Sequence, residues 1–430
     1  MAQKGSASEA LKDFALEPVP EEKRRGLYST AAVWAGWVIS VSAFLVGGNI
    51  AKGLPLAQAI PAIITGNIIL VLVATLVASI GCKLGLSTYL IARVVFGRKG
   101  SIVVSLVLGI VAMLFIGVLL GALGGVFAVA FPGLPAWVGP VALSVLTMIS
   151  GIFGFKGLAW LSNSAVPLLW ILVALAVIRA SAQVGGLAKV FSIVPKGQLS
   201  FGAAASMALG TWIAGATISS DIGRFAKNSN HVLIASFIAY VLGAGLFESA
   251  SVVASLATGT ADLGLMMAKL GLAVPAVLIV LLAVWTTAQS NVYSSSLAFT
   301  NFGNLIGLQI ERHWWVVIAT AIALVGHALG LVNLFRQWLS FLSATMGPIA
   351  GIYIGYFYLC GRISKDPKDI AAQIVDFRLK SFAIWVIGFI FALTYTKGIP
   401  GFQSLVLCAV LYWLTSLIWP DEVARTNQKK

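Results

Sequence analysis

The sequence predicts an all-α integral membrane protein of twelve transmembrane helices. Of its 430 residues, 59% are hydrophobic and 10% are charged. No charged residue occurs between Gly100 and Phe155, although roughly 20 apolar residues suffice to cross a bilayer. The predicted spans are 30–52, 57–80, 101–130, 136–155, 158–180, 201–220, 231–256, 272–298, 313–332, 335–360, 380–397 and 400–419. This arrangement leaves no room for a separate soluble catalytic domain.

The chain is predicted to form one membrane domain with polar ends. Its parts are a cytoplasmic tail at 1–26, a ten-helix core at 27–360, a cytoplasmic loop at 361–379, two peripheral helices within 380–420 and a cytoplasmic tail at 421–430. The first tail mixes acidic and basic residues and lacks the order of regions that marks a secretory signal. We therefore expect no cleaved leader.

The net charge of +14 is best explained by orientation in the membrane. Twelve spans place both termini on one side, and a cytoplasmic assignment puts 21 Lys and Arg inside against 7 outside. This distribution is the positive-inside bias. The sequence therefore predicts a cell-membrane protein in a lipid bilayer with both termini cytoplasmic, and it argues against a nucleic-acid partner.

Two spans, the first and the sixth, contain small and polar residues at corresponding places. The first interruption lies in 37–48, around Ser40, and the second in 210–221, around Trp212. Paired interruptions of this kind point to the binding site of a secondary transporter. Because five helices separate them, inverted repeats at about 27–180 and 201–360 would bring both breaks together at mid-membrane. The pattern predicts a carrier that works by alternating access.

Span eight carries several polar side chains that are too costly to leave in lipid: Thr286, Thr287, Gln289, Ser290, Asn291 and Tyr293. Two adjacent Thr hydroxyls and the Ala283 carbonyl would supply three oxygens to one point. Two carbonyls released by a broken helix would complete a Na⁺ site without any carboxylate. The alternative is that these hydroxyls bond to carbonyls of their own helix.

Trp212 is predicted to lie near mid-depth in an unwound segment. A flat indole there suits stacking on a planar ring, while free peptide groups at Gly210 and Thr211 would bond to the edges of that ring. The alternative is an ordinary interfacial Trp, since the chain has 13.

A few other ionisable residues within or beside spans carry hypotheses. Glu248 is an intramembrane acid, which suggests proton coupling unless it reaches a water-filled vestibule. His327 is expected to form a helix-packing hydrogen bond, with a proton relay as the alternative. Asp221 and Arg224 mark the inner end of span six, where a cytoplasmic gate or helix-end pairing is expected.

Other functional classes find little support. A channel would require a repeated carbonyl filter or a charged ring, and neither pattern occurs. A membrane enzyme would require clustered His, Asp or Glu within the spans. The cysteines at positions 82, 360 and 408 lack metal-ligand spacing. The chain is therefore not expected to be an enzyme.

Four segments are similar to the nucleobase:cation symporter-1 family, with the cytosine permeases as the closest branch. They are Gly36–Gly48, the loop from Lys83 to Gly97, the stretch from Thr217 to Asn228, and Trp285-Thr-Thr. The resemblance covers about residues 20–420. It implies a LeuT-like fold of five plus five inverted helices with two extra C-terminal helices.

The resemblance also implies two sites. Na⁺ would bind the carbonyls of Gly36, Ile39 and Ala283 and the hydroxyls of Thr286 and Thr287. The substrate would contact Ser40, Ala112, Phe115, Gly210, Thr211 and Trp212.

The substrate region departs from the cytosine permeases at three positions. They carry Gln and Trp in span three and Asn after Thr-Thr, where this chain has Ala112, Phe115 and Ala288. Gln289 and Asn291 are candidates to replace the missing amides, and together with Ala288 they bring the expected substrate site to nine residues. These departures broaden the expected substrate class beyond cytosine. We expect Na⁺-coupled uptake of a small planar heterocycle, cytosine or another nucleobase, by a monomer. The alternative is proton-coupled transport of a hydroxymethylpyrimidine-type vitamin precursor, a hydantoin or a purine.

Overall fold

The computed structural model describes residues 13–131, 133–261, 265–266, 269–271, 273–330, 335–363, 366–395 and 398–420. Regular structure in these ranges is helical, apart from one isolated bridge between Arg25 and Ala226. The first 12 residues of the predicted N-terminal tail and the whole predicted C-terminal tail, 421–430, lie outside the described residues. The all-α prediction is confirmed.

Eighteen α-helices are present in the described ranges. They are α1 Leu27–Val38, α2 Val41–Ala51, α3 Leu56–Leu84, α4 Thr88–Val95, α5 Gly100–Ala130, α6 Val138–Ile152, α7 Gly154–Gln183, α8 Leu187–Phe191, α9 Phe201–Thr217, α10 Ser220–Gly223, α11 Ser229–Phe237, α12 Leu246–Thr258, α13 Ala273–Leu305, α14 Arg312–Ala328, α15 Phe335–Ile354, α16 Pro367–Ala372, α17 Leu379–Thr394 and α18 Pro400–Ile418. Two π-helical segments, Ile238–Gly245 and Gly355–Leu359, continue α11 and α15, and Glu21–Lys23 forms a 3₁₀ turn.

A helix overlaps each of the twelve predicted apolar intervals. Within the described residues, five helical stretches are long and apolar enough to cross a membrane alone, and the bent pair α1–α2 makes a sixth. The helices α6 and α17 are apolar but shorter. Twelve crossings therefore stay a prediction.

The first predicted interruption is confirmed by a break between α1 and α2. Ile39 and Ser40 leave the helical conformation, with φ/ψ of −75/88° and −137/167°. The two helices meet at an angle of 56°. A helix end leaves its last carbonyl groups without intrahelical partners. The break therefore exposes peptide oxygens inside the bundle.

The second predicted interruption is wrong at Gly210–Trp212, because α9 continues as a regular helix to Thr217. Thr211 and Thr217 each donate a 2.9 Å hydrogen bond to the carbonyl four residues earlier. One Gly costs a helix only about 1 kcal/mol relative to Ala. Six Ala residues in α9 favour the helix over that cost. The helix ends instead at Ile218, before the short α10.

The long helix α13 lies at the centre of the bundle. It packs against α5, α6, α7 and α14, and it also contacts α1 beside the break. The helix α9 packs on α3 and α15. These contacts bring the break, the polar stretch of α13 and the Trp212 region of α9 into one part of the core.

Candidate functional site

Thr287 connects α13 to the broken helix. Its hydroxyl lies 3.0 Å from the Trp37 carbonyl at the end of α1 and 2.8 Å from the Ala283 carbonyl. Thr286 bonds within its own helix, at 2.9 Å from the Leu282 carbonyl and 3.1 Å from that of Ala283. Both hydroxyls thus bond to carbonyls of their own helix, as the alternative expects. Thr287 alone of the two also bridges to α1.

The end of α1 offers further oxygens. The Ile39 N–H donates to the Ala35 carbonyl at 2.8 Å, whereas the carbonyls of Gly36 and Ile39 accept no described backbone hydrogen bond. The C-terminal end of a helix also carries partial negative charge. Among the described residues, no group of three His, Cys, Asp or Glu lies close enough to hold a metal. The available ligands are therefore neutral oxygens, which suit a monovalent cation at a helix break.

A narrow cavity of about 30 Å³ lies beside the break. Residues of α1, α5, α9, α13 and α15 and the Ile218 end of α9 line it: Trp37, Val111, Ala112, Phe115, Gly210, Thr211, Trp212, Ala214, Gly215, Ile218, Asn291 and Met346. Two indoles and a phenyl ring dominate this lining. The structure therefore brings six of the nine residues of the expected substrate site around one space.

The cavity contains polar groups able to orient a ring. Trp212 is 3% exposed and its indole N–H has no hydrogen-bond partner. Asn291 donates from Nδ2 to the Thr287 carbonyl at 2.8 Å, which leaves Oδ1 as an acceptor. A Cβ added at Gly210 would meet no atom within 4 Å, so the cavity approaches the α9 backbone closely there. The site combines flat apolar surfaces with one donor and one acceptor.

Three residues of the expected substrate site lie elsewhere. The Ser40 hydroxyl is 2.5 Å from that of Ser42, and Ala288 is buried away from the cavity lining. Gln289 faces α7, where its Nε2 would be 3.1 Å from a Cβ at Gly157. Residues two apart point about 200° from each other around a helix, so Gln289 and Asn291 occupy different faces. The structure brings Asn291 to the cavity and not Gln289.

Glu248 is fully buried in α12. Its Oε2 accepts a 2.9 Å hydrogen bond from Asn67 Nδ2, while Oε1 has no partner. No Lys, Arg or His among the described residues forms an ion pair with it. Glu248 therefore does not reach an open vestibule in this conformation.

His327 is partly buried and its Nδ1 has no hydrogen-bond partner.

The predicted pairing of Asp221 with Arg224 is replaced by two separate contacts. Asp221 accepts hydrogen bonds from the Thr88 N–H at 2.9 Å and the Ser294 hydroxyl at 2.8 Å. Burial raises the pKa of Asp221, and these two donors and the Arg224 charge oppose that rise. Asp221 thus ties α10 to α4 and α13.

The carboxylate that faces Arg224 belongs to Asp13 of the N-terminal segment. Its Nη2 lies 3.9 Å from Asp13 Oδ2 and donates to Tyr293 Oη at 2.6 Å, while Nη1 donates to the Phe14 carbonyl at 2.7 Å. Asp13 is 8% exposed and also accepts from the Phe155 N–H at 3.2 Å. Asp13 is absent from the expected site. Its position beside an apolar Phe-Ala-Leu run in a polar tail is the one signal that could have found it.

Fold and site together define a multi-span membrane permease, and comparison with known proteins identifies its family. Residues 18–415 match the family described as permeases for cytosine/purines, uracil, thiamine and allantoin. The chain belongs to this family, within the nucleobase:cation symporter-1 group and its cytosine/purine branch. It is a transporter and not an enzyme.

Named relatives support this assignment. The cytosine permease of Escherichia coli (strain K12) is 31% identical over 352 residues, 81% of each chain. The hydantoin permease of Microbacterium maritypicum is 22% identical over 372 residues, 79% of this chain and 74% of that protein. The closed, bromovinylhydantoin-bound structure of Mhp1, a nucleobase-cation-symport-1 family transporter, shares the fold with a TM-score of 0.81. It is 20% identical and covers 94% of each chain.

Proposed function

We propose that this permease imports a small planar heterocycle, cytosine or another nucleobase, together with Na⁺. It would work by alternating access as a monomer in the cell membrane, with both termini cytoplasmic. The proposed architecture is twelve crossings in two inverted five-helix repeats plus two peripheral helices, with the domain limits given by the sequence. The relatives named cytosine permease and hydantoin permease both carry small flat rings, which supports this substrate class.

The contact between Thr287 and the Trp37 carbonyl carries the proposal for Na⁺. It shows that the hydroxyl of α13 and the freed end of α1 are within 3.0 Å of each other. The Gly36 carbonyl lies in α1 and the Ile39 carbonyl in the break that follows it, while the Ala283 carbonyl and the Thr286 hydroxyl lie in α13. A cation among these oxygens would hold α1 against α13 and thereby favour one arrangement of the two helices.

The substrate is proposed to stack between aromatic side chains of the cavity. Trp212 supplies a flat face and an unpaired N–H, and Phe115 supplies a second ring. Asn291 Oδ1 would accept from a ring N–H or an exocyclic amine. Because the cavity measures only about 30 Å³, a nucleobase would require its walls to move apart. Such opening is what alternating access demands of a closed state.

Coupling would follow from Trp37, which belongs to both proposed sites. Its carbonyl faces Thr287, and its side chain lines the cavity. An ion that fixes the α1 end would also fix one wall of the substrate site. Each ligand would then raise the affinity for the other by the same factor.

The Na⁺ assignment can be tested at Thr287. Thr287→Ala should abolish most of the Na⁺ dependence of uptake in proteoliposomes, because it removes the bridging hydroxyl. Thr287→Ser keeps that hydroxyl and should retain the dependence. Thr286→Ala should have a smaller effect, since the described hydrogen bonds of the Thr286 hydroxyl stay within α13. Unchanged Na⁺ activation in Thr287→Ala would remove this ion site.

Proton coupling through Glu248 is the second candidate. An isolated ionised carboxylate is expensive to bury, and this one has Asn67 as its single described hydrogen-bond partner. The backbone carbonyl of Glu248 closely approaches Gly47, so α12 packs directly on α2 at this residue. A change in the charge of the Glu248 carboxyl would therefore take place in the helix that contacts the second half of the broken pair. Uptake at fixed Na⁺ over a pH series, with Glu248→Gln alongside, separates this candidate from Na⁺ coupling.

The substrate is best identified by thermal-shift measurements on purified protein. Cytosine, uracil, purines, hydantoins and hydroxymethylpyrimidines should be compared with and without Na⁺. Stabilisation by one ring that depends on Na⁺ supports both parts of the proposal. Stabilisation that is independent of Na⁺ but changes with pH supports the Glu248 candidate.

A further inference from the structure

A second cavity, of about 570 Å³, lies at the predicted cytoplasmic face. Its walls come from the N-terminal segment around 16–24, the α3–α4 connection, α4, the start of α11 and α16. None of these lining residues belongs to the proposed Na⁺ or substrate site. The cavity therefore requires its own explanation.

Positive charge dominates this cavity. Arg24, Lys83, Arg93 and Lys227 line it, and Glu21 is the one acid among its described lining residues. Within the described chain, none of the four cations forms an ion pair with a carboxylate. Like charges gathered around one space repel unless an anion lies between them. The arrangement therefore favours an anionic occupant.

Neighbouring residues hold one of these cations, Arg93, in position and leave it charged. Arg93 donates to the Asn301 and Asn304 side-chain oxygens at 2.6 and 3.0 Å, which hold its guanidinium in place. Burial and the neighbouring Arg98 lower the pKa of Arg93 to about 10, so it stays protonated at neutral pH. The Arg24 Nε is buried without a hydrogen-bond partner. An oxygen-rich anion would supply that partner.

We propose that this cavity is a binding site for a phosphate-bearing anion. Arg and Lys are the side chains that bind phosphate oxygens, Arg through paired N–H groups and Lys as a point charge. The first residue of α11, Ser229, also lines the cavity, and its helix N-terminus adds positive potential. The phosphate would come from an inner-leaflet phospholipid head group or from a soluble phosphate ester.

Such an anion would attach the N-terminal segment to the transport core. Arg24 precedes α1, whereas Lys83, Arg93 and Lys227 belong to the core side of the cavity. The same segment reaches Arg224 through Asp13. Occupancy should therefore stabilise the segment against the cytoplasmic ends of α3, α4 and α11.

The test uses the full chain in detergent, with thermal melting as the readout. Inorganic phosphate and glycerol 3-phosphate are titrated against chloride at equal ionic strength. In parallel, protein in phosphatidylcholine vesicles is compared with protein in vesicles containing phosphatidylglycerol. The double variant Lys83→Gln/Lys227→Gln removes two cations, and Lys196→Gln removes one exposed charge at the opposite face as a control.

A soluble ligand is supported if phosphate and glycerol 3-phosphate stabilise the native chain. Their affinity should then be at least about tenfold weaker in the double variant and unchanged in Lys196→Gln. Stabilisation by phosphatidylglycerol alone, with the same dependence on the variants, supports a lipid head group. The proposal is overturned if neither source stabilises the native chain beyond chloride, or if the double variant responds as the native chain does. A cooperative melting transition of each variant in chloride alone verifies that it is folded.

Discussion

The two interrupted segments of this permease behave differently, although both contain Gly and hydroxyl residues. The first breaks at Ile39–Ser40 and turns by 56°. The second keeps its helix through Gly210 and Trp212 and ends at Thr217. In the first, Thr287 of a neighbouring helix donates to a carbonyl released by the break. In the second, the Thr211 and Thr217 hydroxyls bond back to their own unbroken helix, and Thr217 also lies 3.2 Å from the Met346 carbonyl of α15.

This difference indicates that a helix breaks inside a membrane where neighbouring groups form hydrogen bonds with the peptide groups that the break leaves unpaired. Unpaired carbonyls in a dry core are costly, so a partner such as Thr287 is part of the cause of the break. Small residues alone only reduce helix stability. Gly210 does not break its helix, and because it has no side chain it leaves space for the cavity beside α9.

The largest expected effect is at Gly47, in the second half of the broken pair. A Cβ there would collide with the Glu248 carbonyl and the Ser251 side chain. Backbone cannot move away easily, so Gly47→Ala should destabilise the fold by about 3 kcal/mol or more. Melting of the purified protein measures this loss. Gly125→Ala, where a Cβ meets nothing within 4 Å, is the matched control and should melt no lower than the native chain.

The next largest effect is expected at Asp13, the N-terminal residue whose carboxylate faces Arg224 at the inner end of span six. Asp13→Asn removes a buried charge that faces Arg224 and accepts from Phe155, so it should cost about 1.5–3 kcal/mol. The exposed pair Lys99–Asp376 provides the control, because surface ion pairs contribute little. Asp376→Asn should leave the melting temperature unchanged. Equal shifts for the two variants would contradict a structural role for Asp13.

The sequence predicted the broken first span and the polar face of α13 from local pattern. The helical course of α9 differs from the predicted interruption because six helix-forming Ala residues outweigh the single Gly210. The pairing of Asp13 with Arg224 joins residues 211 positions apart, which no local pattern reveals. The family resemblance predicts that Ala112, Phe115 and Trp212 share a site, and the folded chain places them around one cavity.

Substitution of Trp212 tests whether the unbroken helix α9 contributes to the substrate site. Trp212→Ala removes the flat face of the cavity, and base-to-aromatic stacking is worth about 1–3 kcal/mol. Substrate affinity should therefore fall by about 5- to 150-fold. Trp212→Phe keeps a flat ring without the N–H and should lose less. Equilibrium binding of the radiolabelled substrate measures both variants.

The control for Trp212 is Trp137, which is 64% exposed and lies outside the cavity. Trp137→Ala should bind substrate as the native chain does. Native affinity in Trp212→Ala would show that the ring binds elsewhere and that this face of α9 is packing alone.

The smallest effect distinguishes a continuous α9 from an unwound one. In a regular helix, Gly210→Ala should raise stability by up to about 1 kcal/mol. Its new methyl group would also enter the cavity, so substrate affinity should fall while the melting temperature rises. Gly125→Ala lies in the interior of α5 and also has free space, but it is not part of the cavity lining. It should gain stability with no change in affinity.

An opposite result at Gly210 would restore the unwound arrangement. If peptide groups at 210–212 bound the substrate directly, the Ala variant would gain no helix stability, because those residues would not be helical. Its affinity would then fall without any rise in its melting temperature. The sign of the melting shift therefore decides between a substrate held by side chains on an intact helix and one held by exposed backbone.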